Sequence, residues 1–149
     1  MSRDLLVDLT RRTLEHARAG TVPLAGAVGR VPATHYYDPD RWALEMERVF
    51  KRTPLVLGFS CELAGPNSYK AMEVAGTPVL ITRASDGSTK AFVNMCSHRG
   101  AVVVEPGSGT ARRFTCPYHA WNYDNDGQLV GISDRDDFGD LDPSCNGLT

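Results

Sequence analysis

The chain has no long hydrophobic run, which excludes a membrane-spanning helix, since that needs about 20 consecutive apolar residues. Neither sign of charge is in large excess. Sixteen Lys and Arg stand against 18 Asp and Glu, for a net charge of −2, and this argues against a nucleic-acid partner. The amino terminus, Met1-Ser2-Arg3-Asp4, starts charged and lacks an apolar stretch followed by a small-residue cleavage site. No secretion signal is expected, and a cytoplasmic location is. Internal repeats and low-complexity tracts are also missing. What is present is ordinary for a globular chain: 149 residues, 42% hydrophobic and 23% charged, enough to bury one core.

Cysteine and histidine are scarce, four of each, so their placement carries information. Cys96-Ser97-His98 is followed, after seventeen residues, by Cys116-Pro117-Tyr118-His119. Two thiolates and two imidazoles thus come as two matched pairs, C-x-H and C-x₂-H. A [2Fe–2S] centre with Cys₂ on one iron and His₂ on the other needs this set. If each loop gives its Cys to one iron and its His to the other, both loops are required to complete either iron. Thiolate suits iron–sulfur clusters and zinc, while neutral imidazole brings less negative charge. Two imidazoles therefore raise the potential above that of an all-Cys centre, into a range of roughly −150 to +300 mV. The alternative is structural zinc, whose sites usually bring their thiols as C-x₂₋₄-C and their imidazoles as H-x₃₋₅-H.

The remaining cysteines and histidines do not suggest a second site. Cys61 and Cys145 lie far apart, with no His or Cys at ligand spacing. Cys61, within Leu55-Val56-Leu57-Gly58-Phe59-Ser60-Cys61, is expected to be a small buried hydrophobe. His16 and His35 are expected to be ordinary surface or partly buried residues.

The segments Cys96-Ser97-His98-Arg99-Gly100 and Cys116-Pro117-Tyr118-His119-Ala120-Trp121-Asn122-Tyr123 resemble the C-x-H-R-G and C-P-Y-H-G-W-x-Y of ring-hydroxylating (aromatic) oxygenase α subunits, in their Rieske [2Fe–2S] domain. One departure is Ala120, where Gly is commoner; a methyl group there needs a backbone angle that tolerates Cβ. The resemblance extends through Tyr37-Asp38-Pro39, Glu62-Leu63, Pro78-Val79-Leu80, Asp86-Gly87 and Asn94, about four-fifths of the chain. It implies one [2Fe–2S] cluster held by Cys96, His98, Cys116 and His119, with Arg99, Tyr118 and Trp121 around it. Respiratory Rieske proteins resemble C-x-H-L-G-C and C-P-C-H-G-S, with a disulfide between the loops and a Ser hydroxyl on a cluster sulfur. Here Ala101, Tyr118 and Trp121 take those places, so few hydrogen bonds to sulfur, and a potential low in the Rieske range, are expected.

Patterning predicts helices first and strands after. Asp4 to Ala19, with Leu5, Leu6, Leu9 and Leu14, reads as an amphipathic helix ending at Gly20. Thr21 to Thr34 reads as an extended connection. Asp38 as N-cap with Pro39 behind it opens a second helix through Phe50, its inner face Trp42, Met46 and Val49 or Phe50. Strands are predicted at 55–59, 69–74, 79–83, 90–94, 101–104, 113–116, 121–124 and 128–132, with turns at Ser85-Asp86-Gly87-Ser88 and Asn125-Asp126-Gly127. The expected class is an all-β Rieske-type fold, small antiparallel sandwich or barrel sheets with two cluster-binding loops, preceded by two short α-helices. Residues 1–36 form the helix and linker, and 37–149 the Rieske domain.

The resemblance implies electron transfer from a reductase or ferredoxin, through the cluster, to a mononuclear non-haem Fe(II) site. That site belongs to a catalytic domain expected to be absent from this chain, which has no His after His119. Its ligand pattern, two His and one carboxylate, matches no set of positions here. Implied partners are the electron donor, the oxygenase catalytic domain or a neighbouring α subunit, and a β subunit as a further candidate. A free-standing Rieske ferredoxin is the alternative; it would be expected to start near the first strand, without some fifty leading residues. A structural zinc module is the other.

Overall fold

A computed structural model describes residues 2–149. The chain divides into two compact units, Met1–Trp42 and Ala43–Thr149.

In the first unit, helix α1 spans Arg3–Ala19. The Ser2 side chain accepts the Leu5 N–H at 3.3 Å, and Gly20, at φ +64°, closes the last turn. Such caps satisfy backbone groups that a helix end leaves orphaned. The leucines face outward, Leu5, Leu6, Leu9 and Leu14 all being more than two-fifths exposed. A 3₁₀ turn, Ala33–Tyr36, interrupts the end of the expected connection. Helix α2 (Pro39–Glu45) starts where Asp38 Oδ1 accepts the Asp40 N–H at 2.9 Å, and it runs on as a π-helical turn, Met46–Phe50. On the supposed inner face Trp42 and Val49 are exposed and Met46 is half-buried.

The second unit holds two antiparallel sheets and no closed barrel. Strands β1 (Ser68–Val74), β2 (Thr77–Arg83), β3 (Thr89–Val93) and β4 (Gly107–Thr110) form one in the order β3-β2-β1-β4. Strands β5 (Arg113–Thr115), β6 (Asn122–Asp124) and β7 (Leu129–Gly131) form the other, in sequence order. Ala71 and Leu80, paired across β1 and β2, meet Phe114, Trp121, Tyr123, Leu129 and Leu148 in one core. Polar ties fasten the layers. The buried Thr82 hydroxyl donates to the Asn125 carbonyl at 2.7 Å, and Asn125 Nδ2 donates to the Ala111 carbonyl at 2.9 Å. The Leu148 N–H donates to Gly127 and the Val93 N–H to Thr149, so the last residues lie along β3 and the β6–β7 turn.

Two strand predictions need correction, and one strand forms where none is predicted. Residues 55–59 form no strand: Val56 is 85% and Phe59 70% exposed, and neither sheet edge pairs with them. Apolar content alone does not make a strand without a partner. Residues 101–104 contribute only the bridge Met95↔Val102. Asn94 takes the place of a neighbouring strand there, its amide donating to the Val104 carbonyl at 2.6 Å and accepting the Val104 N–H at 3.1 Å. Strand β4, Gly-Ser-Gly-Thr, gave no apolar signal at all; it forms because β1 offers an edge, with Tyr69 opposite Gly109. A Cβ on Gly109 would come within 3.1 Å of the Tyr69 ring. Cys61 is exposed and not buried, because it sits in the 3₁₀ turn Ser60–Glu62 next to that unpaired stretch.

Candidate metal centre

The two Cys/His segments fold as two copies of one loop. In the first, the Cys96 N–H donates to the Ala101 carbonyl and the Gly100 N–H to the Cys96 carbonyl, both at 2.8 Å. In the second, the Cys116 N–H donates to Trp121 at 2.8 Å and the Ala120 N–H to Cys116 at 3.0 Å. Both loops therefore close with their fifth residue in the left-handed region, Gly100 at φ +70° and Ala120 at φ +53°. Ala120 thus holds the glycine position of the frame, at a cost of about 1–2 kcal/mol for its Cβ. The frames are mounted differently. The second is the connection of the β5–β6 hairpin, with Thr115 paired to Asn122, while the first is closed by the Met95↔Val102 bridge and the Asn94 clamp.

This frame sorts the candidate ligands by depth. Cys96 and Cys116 are buried, at 3% and 2% exposed. His98 and His119 are half-buried, and their rings lie 4.7 Å apart. His98 Nδ1 is fully buried and has no hydrogen-bond partner. Such an orphaned nitrogen costs about 1–3 kcal/mol unless something fills it. Burial first, then His119 and Arg99, lower the His98 pKa, which favours the neutral, ligating imidazole.

The neighbours form walls. Trp121, 2% exposed, stacks on His98 with centroids 4.8 Å apart and planes 11° apart, and Phe138 meets both rings edge-on at 5.5 and 5.4 Å. Tyr118 is exposed, yet its ring lies 3.8 Å from that of His119. Arg99 is exposed, and with His98, His119, Tyr118, Asp137 and Phe138 it borders an open hollow of about 540 Å³. Cys145, near Asp142, is exposed. Of the other two histidines, His16 belongs to α1 and His35 to the 3₁₀ turn Ala33–Tyr36.

Two residues matter here that the sequence reading quotes for the resemblance without giving them a role. Tyr123 is fully buried, and its hydroxyl lies 3.1 Å from Cys96 Sγ and 2.9 Å from Ser97 Oγ while accepting the Ser97 N–H at 3.1 Å. Burial foremost, then the bond to Cys96, push its pKa up to about 12. So one hydroxyl does reach a cysteine sulfur, although Trp121 stands where a Ser would supply another. The signal was available: Tyr123 closes the second of the two quoted segments. Asn94 is the other, and a polar residue just before a Cys gave no sign that its amide would clamp the loop.

A family model for the Rieske [2Fe–2S] domain matches residues 53–139. The chain belongs to the Rieske [2Fe–2S] domain family. This Rieske chain is 40% identical over 104 residues to chlorobenzene dioxygenase subunit alpha of Cupriavidus sp., covering 70% of itself and 23% of that relative. The structure of naphthalene 1,2-dioxygenase from Rhodococcus sp. superposes with a TM-score of 0.73 at 28% identity, over 99% of this chain and 32% of that one. A quaternary ammonium Rieske monooxygenase, described for carnitine oxidation and inter-subunit electron transfer, superposes at 0.69 with 30% identity over 83% and 38%. The chain thus spans about a quarter of the curated relative and about a third of the solved ones.

The donor set fits the family's cluster. Among the described residues no three or more His, Cys, Asp or Glu side chains are gathered at one point. A set divided two and two between separate irons asks for no such point, and the orphaned His98 Nδ1 is the nitrogen such a division would use. Among the described residues, no helix is long and apolar enough to cross a membrane.

Proposed function

We propose that Cys96, His98, Cys116 and His119 hold one [2Fe–2S] cluster and that this chain is the electron-accepting part of a ring-hydroxylating oxygenase α subunit. The observation that carries the reading is the depth sorting: two thiols in the core, two stacked-over imidazoles at an open hollow, and a buried His98 Nδ1 without a partner. When bound, the cluster would supply reversible one-electron transfer.

The protein's own part is positional. Matched backbone frames hold the two loops that carry the four donors. Trp121 and Phe138 shield the His98 face from water, Tyr118 covers His119, and the hollow leaves the outer edges of both imidazoles within reach of a partner. Single electrons would come from a reductase or ferredoxin and pass to a mononuclear Fe(II) site on a catalytic domain or neighbouring α subunit, within an assembly that includes a β subunit. Relatives named for chlorobenzene and for quaternary ammonium compounds share this domain; substrate choice therefore belongs to the rest of such an enzyme.

Reconstitution with iron and sulfide tests the assignment. The chain should take up two of each and absorb in the visible, Cys96→Ser and Cys116→Ser should lose the colour, and Cys61→Ser and Cys145→Ser should keep it. A donor reductase should bleach it. Stoichiometric zinc with no visible absorption would overturn the proposal.

A further inference from the structure

Trp121 carries a polar group for which the protein has no use. Its side chain is 2% exposed, and its indole N–H is buried without an acceptor; no cysteine sulfur takes it either. Buried N–H groups in folded proteins are nearly always paired. The ring lies parallel to His98, 4.8 Å between centroids, and His98 Nδ1 is a buried acceptor that is likewise unpartnered. The same residue's carbonyl accepts the Cys116 N–H at 2.8 Å, so the indole rides on the backbone frame of the second loop. A stacked ring keeps its edge about one ring thickness from the plane of its neighbour. A group held at His98 Nδ1 would therefore sit beside the indole that carries the unused N–H.

Resting on the cluster assignment above, we propose that the Trp121 N–H donates a hydrogen bond to an inorganic sulfide of the [2Fe–2S] group. Trp121 is then a positioning and tuning residue as well as a packing one. A donor on sulfur stabilises the more negative, reduced state, so this bond holds the potential up. The competing acceptor is the face of Phe138, 5.4 Å away and inclined by 72°.

The chain has only two tryptophans, Trp42 and Trp121, so a Trp42→Phe chain labelled with ¹⁵N-indole reports on one site. Pulsed EPR of the reduced, reconstituted protein should show a hyperfine coupling from that nitrogen, and from its deuteron in D₂O. Trp121→Phe should lower the midpoint potential while leaving the signature of two imidazole nitrogens intact; Trp42→Phe should not move it. Substituting benzothienylalanine, a near-isostere without the N–H, at position 121 should reproduce the fall. The labelling arm keeps Trp121 itself, so a Phe variant that fails to fold does not decide the matter. An assembled cluster with no indole coupling, a potential unchanged by loss of the N–H, or an indole N–H resonance that moves with Phe138→Leu and not with cluster assembly would each overturn this proposal and leave the cluster assignment standing. A chain that assembles no cluster overturns both.

Discussion

Replacing Tyr123 by Phe deletes one oxygen from an enclosed position and keeps the ring. That oxygen accepts the Ser97 N–H at 3.1 Å and lies 3.1 Å from Cys96 Sγ. Ser97 Oγ donates its own proton to the Asn146 carbonyl at 2.6 Å, so the phenol proton is shared between Ser97 Oγ and Cys96 Sγ. A hydrogen bond between neutral groups is worth about 0.5–1.5 kcal/mol, and the abandoned Ser97 N–H adds a penalty of its own. The variant should therefore be less stable by about 1–3 kcal/mol in denaturant titration of the cluster-free chain, with an unchanged m-value. In the loaded chain the bond strengthens as the sulfur gains negative charge on reduction. A differential of about 1 kcal/mol lowers the one-electron midpoint by about 40 mV when it is lost, given 59 mV per tenfold. Alkaline pH gives an independent handle. The folded-state pKa, about 12, lies above the ordinary 10.0, so the stabilisation is present in full below pH 10 and is lost as pH rises toward 12. The Phe variant should lack that alkaline loss. Equal stability together with an equal or higher potential, measured by spectroelectrochemistry, would refute the reasoning.

Three other outcomes are expected. Ala120→Gly should stabilise the chain by about 0.5–1 kcal/mol in thermal or chemical unfolding, because relief at φ +53° exceeds the entropy that Gly adds to the unfolded state; destabilisation would show that the methyl packs usefully. Asn94→Ala should cost about 2–4 kcal/mol by leaving both polar groups of Val104 unpaired, and should slow cluster loading measured by visible absorption. Lys70 and the Phe59 N–H hold the Glu62 pKa below its ordinary 4.5. That contribution is present above pH 4.5 and lost as pH falls through the lowered value, so the stability gap between the native chain and Glu62→Gln should narrow in acid; a gap that widens would contradict the pairing.

The parts of this protein that show in its sequence are those where local chemistry acts alone. Gly20, Asp38 and Pro39 mark helix ends within a few residues of where they fall. The short apolar runs of β1, β2 and β3 stand out between turn residues, and the turn at Asp86-Gly87 follows from a positive φ that Gly accepts. The four candidate ligands announce themselves by type and spacing. What escapes is whatever depends on a distant partner. Strand β4 exists because β1 has a free edge, residues 55–59 stay irregular because no edge receives them, and the roles of Asn94 and Tyr123 are set by residues 10 and 27 positions away.

The different mounting of the two loops bears on the order of events during folding. Cys116 and His119 sit in the β5–β6 hairpin, a local element of the kind that closes in about 1–10 μs. The loop with Cys96 and His98 is held by Tyr123 and Asn146, 26 to 49 residues further along, so it waits for non-local closure. Under the proposed assignment, the early hairpin offers each iron a single donor. A half-folded chain is then a poor chelator of either iron or stray zinc, and metal capture becomes a late, all-or-none event that reports completion of the fold.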